Sequence, residues 1–206
     1  MKIIIANQKG GVGKTTHCIL FSNFLTSKMG QEILILDMDF QSSIKTMWDE
    51  DKERYENRSL YEVIDLGLDS FSQIKDKLAS VDGHVIIDLP GKIDDDNLIA
   101  VFKSVDLVIC PFSYDKITVE STLIFAQVVK HVNPSLQIVF IPNRLKPNVK
   151  YELMQQVNNL LNGFGTIAPK VSDRIAFQRI NTVSTAPEIV PQTEETYGYI
   201  FDNFFN

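Results

Sequence analysis

The chain is 206 residues long, 44% of them hydrophobic, with a formal net charge of −6. That length and apolar content suit one compact domain with a large core, and the acidity excludes a surface that clings as a whole to nucleic acid or anionic lipid. Sparse Pro and Gly exclude a disordered chain, and no apolar run approaches the roughly 20 residues that cross a bilayer. The opening MKIIIANQKGG has a basic second residue, but its apolar run is too short for a signal peptide and ends in glycines. Cys18 and Cys110 stand in apolar runs without a CxxC pair. They predict two buried thiols in a reducing cytosol, and hence a cytoplasmic location.

Along the chain, short β-rich runs alternate with amphipathic stretches. Strands are predicted over 2–6, 32–37, 84–88, 106–111, 136–142 and 165–169. Helices are predicted over 14–29, 59–66, 70–80, 94–104, 116–131 and 149–161, with two more near 173–181 and 192–204. Most strand runs are continuously apolar, as in strands buried on both faces of a parallel sheet. The polar stretch WDEDKERYENRS, 48–59, reads as a surface helix or loop. The alternation defines a doubly wound α/β fold, a mostly parallel sheet flanked by helices, as a single domain over 1–206 without internal repeat or linker.

Between the first strand and the first helix lies ANQKGGVGKTTH, residues 6–17. Strand, glycine loop and helix in that order are the setting of a phosphate-binding loop. The glycines let backbone N–H groups turn inward around phosphate oxygens, and the helix N-terminus adds the positive end of its dipole. In that setting Lys14 reaches the β- and γ-phosphates and the Thr15 hydroxyl ligates Mg²⁺. The common spacing G-x-x-x-x-G-K-[ST] is not met, because Gln8 stands at its first glycine. A second lysine, Lys9, stands at the loop entrance instead.

This K-G-G-V-G-K-T-T run resembles the deviant phosphate-loop (deviant Walker A) family that includes the ParA partition ATPases, MinD and the nitrogenase iron protein. The resemblance implies ATP and Mg²⁺ as cofactors, and nucleotide binding by Gly10, Gly11, Val12, Gly13, Lys14, Thr15 and Thr16. It also implies an ATP-dependent homodimer in which Lys9 reaches the partner subunit's nucleotide. A cation delivered in trans acts as an arginine finger does, worth roughly 10³–10⁵ in rate, and makes hydrolysis depend on dimerisation. The alternative is a Lys9 that neutralises the phosphates of its own subunit.

ILILDMDFQSS places Asp37 and Asp39 at the C-terminal end of the second strand, the edge where ligands bind in open α/β sheets. The two-residue period of a strand points both to one side. The stretch resembles the family's D-x-D-x-Q segment, with Phe40 where proline is usual. The resemblance makes Asp39 the residue that holds the attacking water and Asp37 an aid to the metal through its water shell. A helix N-cap before SSIKTMW is the competing role for one of the pair. HVIIDLPG, 84–91, is an apolar strand ending in an acid, the Walker B arrangement. Asp88 then binds Mg²⁺ through water, and Gly91 lets the loop after it sense the γ-phosphate. The family more often has threonine and a second proline here.

FIPNRLKPN supplies Asn143, where the family often has an amide that reads the adenine edge. A turn asparagine between two prolines competes with that role. Arg144 either stacks on the base or lies in solvent. No N/T-K-x-D guanine signature is present, so ATP is favoured over GTP.

Within the family, only Cys110 follows the Asp88 strand, which excludes a shared iron–sulfur cluster. The ending TEETYGYIFDNFFN is aromatic and acidic, unlike MinD's basic membrane helix, so no membrane partner is expected. Tyr197 and Tyr199 are too few for the tyrosine cluster of a bacterial tyrosine kinase. The chain looks most like the small partition ATPases, which begin at the phosphate loop. KVSDRIAFQRINTVSTAPEIV, 170–190, resembles the family's region whose basic residues contact DNA non-specifically in the ATP-bound dimer. Lys170, Arg174 and Arg179 would supply those phosphate contacts and associate the protein with the nucleoid; a solvated helix face is the alternative. The implied function is a slow, partner-stimulated ATPase of plasmid or chromosome partition with a centromere-binding partner protein. A conjugation or mobile-element ATPase with a relaxosome partner, and a nucleotide-gated interaction module with negligible turnover, are the alternatives.

Overall fold

The apolar runs become the strands of a single sheet: β1 (Lys2–Ile5), β2 (Ile33–Asp37), β3 (Glu62–Asp65), β4 (His84–Asp88), β5 (Leu107–Phe112), β6 (Gln137–Pro142) and β7 (Thr166–Ile167). The computed structural model describes residues 1–78, 80–91, 96–146, 149 and 151–205. The strand order is β3-β2-β4-β1-β5-β6-β7, and every pairing is parallel. The chain winds from β1 outward to β2 and β3, returns to place β4 beside β1, and then builds β5 to β7 on the other side. β1 is therefore the topological switch point, where an open α/β sheet leaves a crevice at its carboxyl edge.

Successive strand residues face opposite sides, and both sides are apolar, so the sheet carries two cores. Ile3 and Ile5 join the core that packs α1 (Lys14–Ser27), α2 (Ser43–Arg54) and α7 (Val190–Phe204). Ile4 joins the opposite core with α3 (Phe71–Leu78), α4 (Asn97–Ser104), α5 (Lys116–Val132) and α6 (Met154–Leu161). Cys18 and Cys110 are free thiols, one in each core, as their apolar settings predict. α1 is buried almost continuously from His17 to Leu25 because it lies between the sheet and α7. Among the described residues, no helix is long and apolar enough to cross a membrane.

Several predicted boundaries move. The stretch 59–66 is not a helix: it contains β3 at the edge of the sheet. Leu60, Tyr61, Val63 and Ile64 have helical spacing, but the pattern that wins is alternation. Tyr61 and Val63 are 5% and 4% exposed, whereas Ile64 is 47% exposed. The acids Glu62 and Asp65 beside it suit a solvent-facing edge strand. The stretch 173–181 forms only a 3-10 turn over Ile175–Arg179, and the strand of 165–169 shrinks to two residues. The polar stretch 48–59 opens inside α2, which starts at Ser43. Predicted helices 70–80, 94–104 and 149–161 are α3, α4 and α6; their residues 79, 94, 95 and 150 lie outside the described residues.

Two buried polar links tie the segment before α7 to the rest. Asp51 on α2 accepts hydrogen bonds from the Thr182 amide (2.7 Å) and hydroxyl (2.9 Å), and both residues are at most 5% exposed. The Asn23 amide donates to the carbonyls of Asn181 and Ser184 while its oxygen accepts from the Tyr61 hydroxyl. Hydrogen bonds to a charged acceptor contribute about 1.5–3 kcal/mol each, and a buried N–H left alone is costly. Asp51→Ala is expected to destabilise the fold by about 2–4 kcal/mol. At about 2–4 °C per kcal/mol for a chain of this size, calorimetry should show melting roughly 5–15 °C lower.

Candidate functional site

The β1–α1 loop is pinned at its entrance by Asn7. Its buried amide donates to the Pro111 carbonyl on β5 and the Thr122 hydroxyl on α5, both at 2.9 Å, and its oxygen accepts from the Lys9 N–H. Asn7 carried no motif signal, because its partners lie more than 100 residues away. At the loop's exit Gly13 has φ 99°, a left-handed value that favours glycine, and a Cβ there would lie 2.5 Å from Asn143 Nδ2. The turn aims the first N–H groups of α1 into the crevice. Lys14 is buried and folds back across the loop, its Nζ 3.4 Å from the Lys9 carbonyl. Gly91, after β4, approaches closely: a Cβ there would meet Lys14 Nζ at 3.4 Å. The loop that follows Gly91, residues 92–95, lies outside the described residues.

The strand register brings the carboxylates together. Asp37 pairs with Asp88 across β2 and β4, and with Asp65 across β2 and β3. The Thr15 hydroxyl donates to Asp88 Oδ2 at 2.8 Å. Asp37 Oδ2 accepts the N–H groups of Ile44 (2.9 Å) and Lys45 (3.0 Å), so Asp37 does cap the start of α2. The Oδ1 atoms of both Asp37 and Asp88 are buried without a hydrogen-bond partner. Burial pushes the Asp88 carboxyl up to about 7, Asp37 adds to the shift, and the Thr15 hydroxyl and Lys14 oppose it. Burial likewise raises Asp37, against the backbone bonds it accepts.

Thr15, Asp37 and Asp88 fit a hydrated Mg²⁺, which takes one or two carboxylates, a hydroxyl, phosphate oxygens and water. The two orphaned oxygens are acceptors that such a cation satisfies. No cage of three or more His, Cys, Asp or Glu exists among the described residues.

Gly10, Gly11, Gly13, Lys14, Thr15 and Thr16 line an open cleft of about 610 Å³, with Asp39, Phe40, Gln41, Pro90, Gly91 and Arg144 on its other walls. That volume suits a ligand of nucleotide size. Val12 is buried, and its carbonyl accepts from Asn143 Nδ2 at 2.7 Å. Asn143 therefore braces the loop with one N–H of its side-chain amide. Arg144 has φ 58°, rare for a side-chain-bearing residue, and its guanidinium donates to the Gly11 carbonyl. Asn143 and Arg144 also border a niche of about 80 Å³ beside Thr16, closed by Asp173, Arg174, Phe177 and Gln178. Lys9 stands apart: its side chain does not line the main cleft and has no partner among the described residues. Lys170, Arg174 and Arg179 are exposed, and the two arginines share a groove of about 380 Å³ with Ile175 and Glu188.

A parallel sheet with a glycine loop after its central strand and acids at the ends of the adjacent strands defines a phosphate-loop nucleotide-binding fold of the ParA/MinD type. The AAA domain family profile matches residues 1–141, and the chain belongs to that family. A putative plasmid partition protein from Borrelia burgdorferi B31, bound to AMPPNP, has the same fold, with TM-score 0.78, 23% identity and 98% of each chain covered. The ATP complex of a variant McdA from Cyanothece matches with TM-score 0.71 and 17% identity over 98% of this chain and 95% of that one. The MinC:MinD cell division complex of Aquifex aeolicus matches with TM-score 0.70 and 14% identity over 98% of this chain and 96% of that one. At these identities the likeness is one of fold. No curated protein matches the chain in sequence.

Gly13 and Gly10 should respond differently to a methyl group. Gly13→Ala meets Asn143 and holds a left-handed backbone, a strain of about 1–3 kcal/mol that urea unfolding should register. A Cβ at Gly10 meets nothing within 4 Å, so Gly10→Ala should stay within about 0.5 kcal/mol of the parent.

Proposed function

We propose that the whole chain acts as one ParA-type domain that binds MgATP, dimerises around it and hydrolyses it slowly, in plasmid or chromosome partition. The observation that carries this reading is the hydrogen bond from Thr15, which lines the glycine-rich cleft, to Asp88, together with the buried, unpartnered Oδ1 atoms of Asp37 and Asp88. Lys14, Arg144 and a helix N-terminus suit the phosphate oxygens, and the bare carboxylate oxygens suit a cation carried with them. The relatives point the same way: one is bound to AMPPNP and another to ATP.

In this reading the loop amides and Lys14 hold the β- and γ-phosphates, with Lys14 leaving the Lys9 carbonyl for phosphate oxygen. Bound Mg²⁺ would be held by Thr15 and, through water, by Asp88 and Asp37, and would neutralise phosphate charge. Asp39 lines the same cleft and spends one oxygen on the Gln41 N–H (3.2 Å), which leaves accepting capacity to orient a water. The base would occupy the niche beside Thr16, where Asn143 Oδ1, Gln178 and Phe177 supply polar edge and ring contact. Lys9, unpartnered among the described residues and outside its own cleft, is available to a second subunit.

Mixed dimers separate a trans from a cis role for Lys9. Lys14→Ala should abolish ATP binding in calorimetry, whereas Lys9→Ala and Asp39→Ala should each bind ATP and turn none over. Mixed together, a dimer of the two variants has one site with its own Asp39 and its neighbour's Lys9. Turnover should return to at most about half the parental rate, scaled by the mixed fraction. A cis-acting Lys9 gives no recovery at any ratio.

Non-specific DNA is the proposed second ligand, through Lys170, Arg174 and Arg179, with a centromere-binding protein as the stimulating partner. Arg174 lines both the base niche and the outer groove, which ties the basic surface to nucleotide occupancy. Arg179→Glu should weaken ATP-dependent binding to any duplex sequence and leave ATP affinity unchanged. Each lost phosphate contact should flatten the log–log salt dependence by about 0.9. No DNA binding by the parent at low salt, with ATP present, would remove the DNA role.

A further inference from the structure

We infer that Asp65, at the end of β3, is a positioning residue for turnover, acting through Ser42 on the loop that carries Asp39. This rests on the ATPase reading above.

The loop between β2 and α2 has two outside anchors. At its start the Met38 N–H donates to the Asp88 carbonyl at 3.0 Å, on β4. At its end the Ser42 hydroxyl donates to Asp65 Oδ2 at 2.9 Å, on β3. Between them lie only Asp39, Phe40 and Gln41. Phe40 is 82% exposed and Gln41 is exposed too, so packing does not fix this span. Its shape comes from hydrogen bonds: the Ser42 N–H to the Asp39 carbonyl at 2.9 Å, and the Gln41 N–H to Asp39 Oδ1 at 3.2 Å.

The first of these bonds requires the backbone of Ser42 to stay where it is, and that backbone is left-handed, with φ 44° and ψ 42°. A serine enters that region only when its surroundings compensate. The Ser42 carbonyl opens the first turn of α2 by accepting from the Thr46 N–H at 3.0 Å. Its side chain is held by Asp65. A third carboxylate in register with Asp37 and Asp88 adds like charge to a strand end, which is unfavourable unless it is bonded. The Ser42 hydroxyl supplies that bond, and the charge-assisted contact fixes the residue that the Asp39 turn closes on.

The test measures kcat and KM for ATP in Ser42→Ala, Asp65→Ala, the double variant and Asp65→Asn, whose amide oxygen still accepts the Ser42 hydroxyl. A single hydrogen bond's net worth sets the size of the effect. Each alanine variant should lose about three- to tenfold in kcat with KM unchanged within about twofold. The double variant should lose no more than either single one, and Asp65→Asn should return close to the parental rate. Unchanged kcat in the alanine variants, additive losses, or an asparagine as slow as the alanine would each overturn the inference. Hydrogen exchange at the Gln41 and Ser42 amides is read in parallel, because it does not depend on turnover. Faster exchange in Asp65→Ala supports the anchor, and unchanged exchange overturns it. If the parent protein hydrolyses no ATP, the ATPase reading fails and with it the role in turnover, while the exchange result still decides whether Asp65 holds the loop.

Discussion

Asp37 and Asp88 sit one strand apart, in register, at 0% and 1% exposure, and the arrangement around them follows from what it takes to keep two acids there. A buried carboxylate costs several kcal/mol unless it is hydrogen-bonded or neutralised. Each acid spends Oδ2 on the start of a helix. Asp37 takes two N–H groups of α2, and Asp88 takes the Thr15 hydroxyl in the first turn of α1. The pair therefore fixes where both helices begin. What it leaves over is one bare oxygen apiece and, at Asp88, a carboxyl that burial has raised to about 7. The proposed Mg²⁺ would remove that deficit, and its arrival would bear directly on Thr15 and on the α2 terminus. The phosphate loop and the start of α2 are thus linked to neighbouring strand ends through two side chains.

Local features of the site were legible in the sequence. A glycine loop between an apolar strand and a helical run, and acids at the ends of apolar runs, declare themselves within a dozen residues. Long-range bonds did not. Asn143 looks like a free amide at a strand end, yet its Nδ2 is committed to Val12, 131 residues away. Asn7 is a position without a motif until β5 and α5 close around it. β3 was lost because Leu60, Tyr61, Val63 and Ile64 satisfy a helical spacing as well as an alternating one. An edge strand with one buried face gives too short a pattern to choose between them. Losing β3 also hid Asp65, since its register with Asp37 exists only in the sheet. The start of α2 was legible as a competing reading, a helix at SSIKTMW capped by one acid of the pair, and Asp37 is that cap. Ser42 makes no side-chain cap, and the capping oxygen comes from Asp37, seven residues before Ile44.

The C-terminal helix completes the coupling from the other end. Its aromatic, acidic sequence is core-forming here: Tyr197 and Ile200 are fully buried, and Tyr197 packs against His17, Phe21 and Phe24 of α1. The Tyr197 hydroxyl and His17 Nδ1 share a hydrogen bond of 2.8 Å, in the first turn beyond the phosphate loop. Burial pushes His17 down to about 4, so at neutral pH the ring is uncharged and this contact is a neutral one. Inserting α7 into a bilayer would unpack that cluster and strand His17.

α7 also carries the segment that precedes it. The Thr196 hydroxyl donates to the Pro169 carbonyl, and Gln192 bonds the backbone of Ser172 through both its oxygen and its amide. These bonds hold 169–172 against α7, and the chain just beyond them supplies Asp173, Arg174, Phe177 and Gln178 to the niche beside Thr16. The same turn presents Arg174 and Arg179 to the outer groove. One short 3-10 turn thus has a side facing the phosphate loop and a side facing solvent. Its position is set through α7 by the helix that follows the phosphate loop.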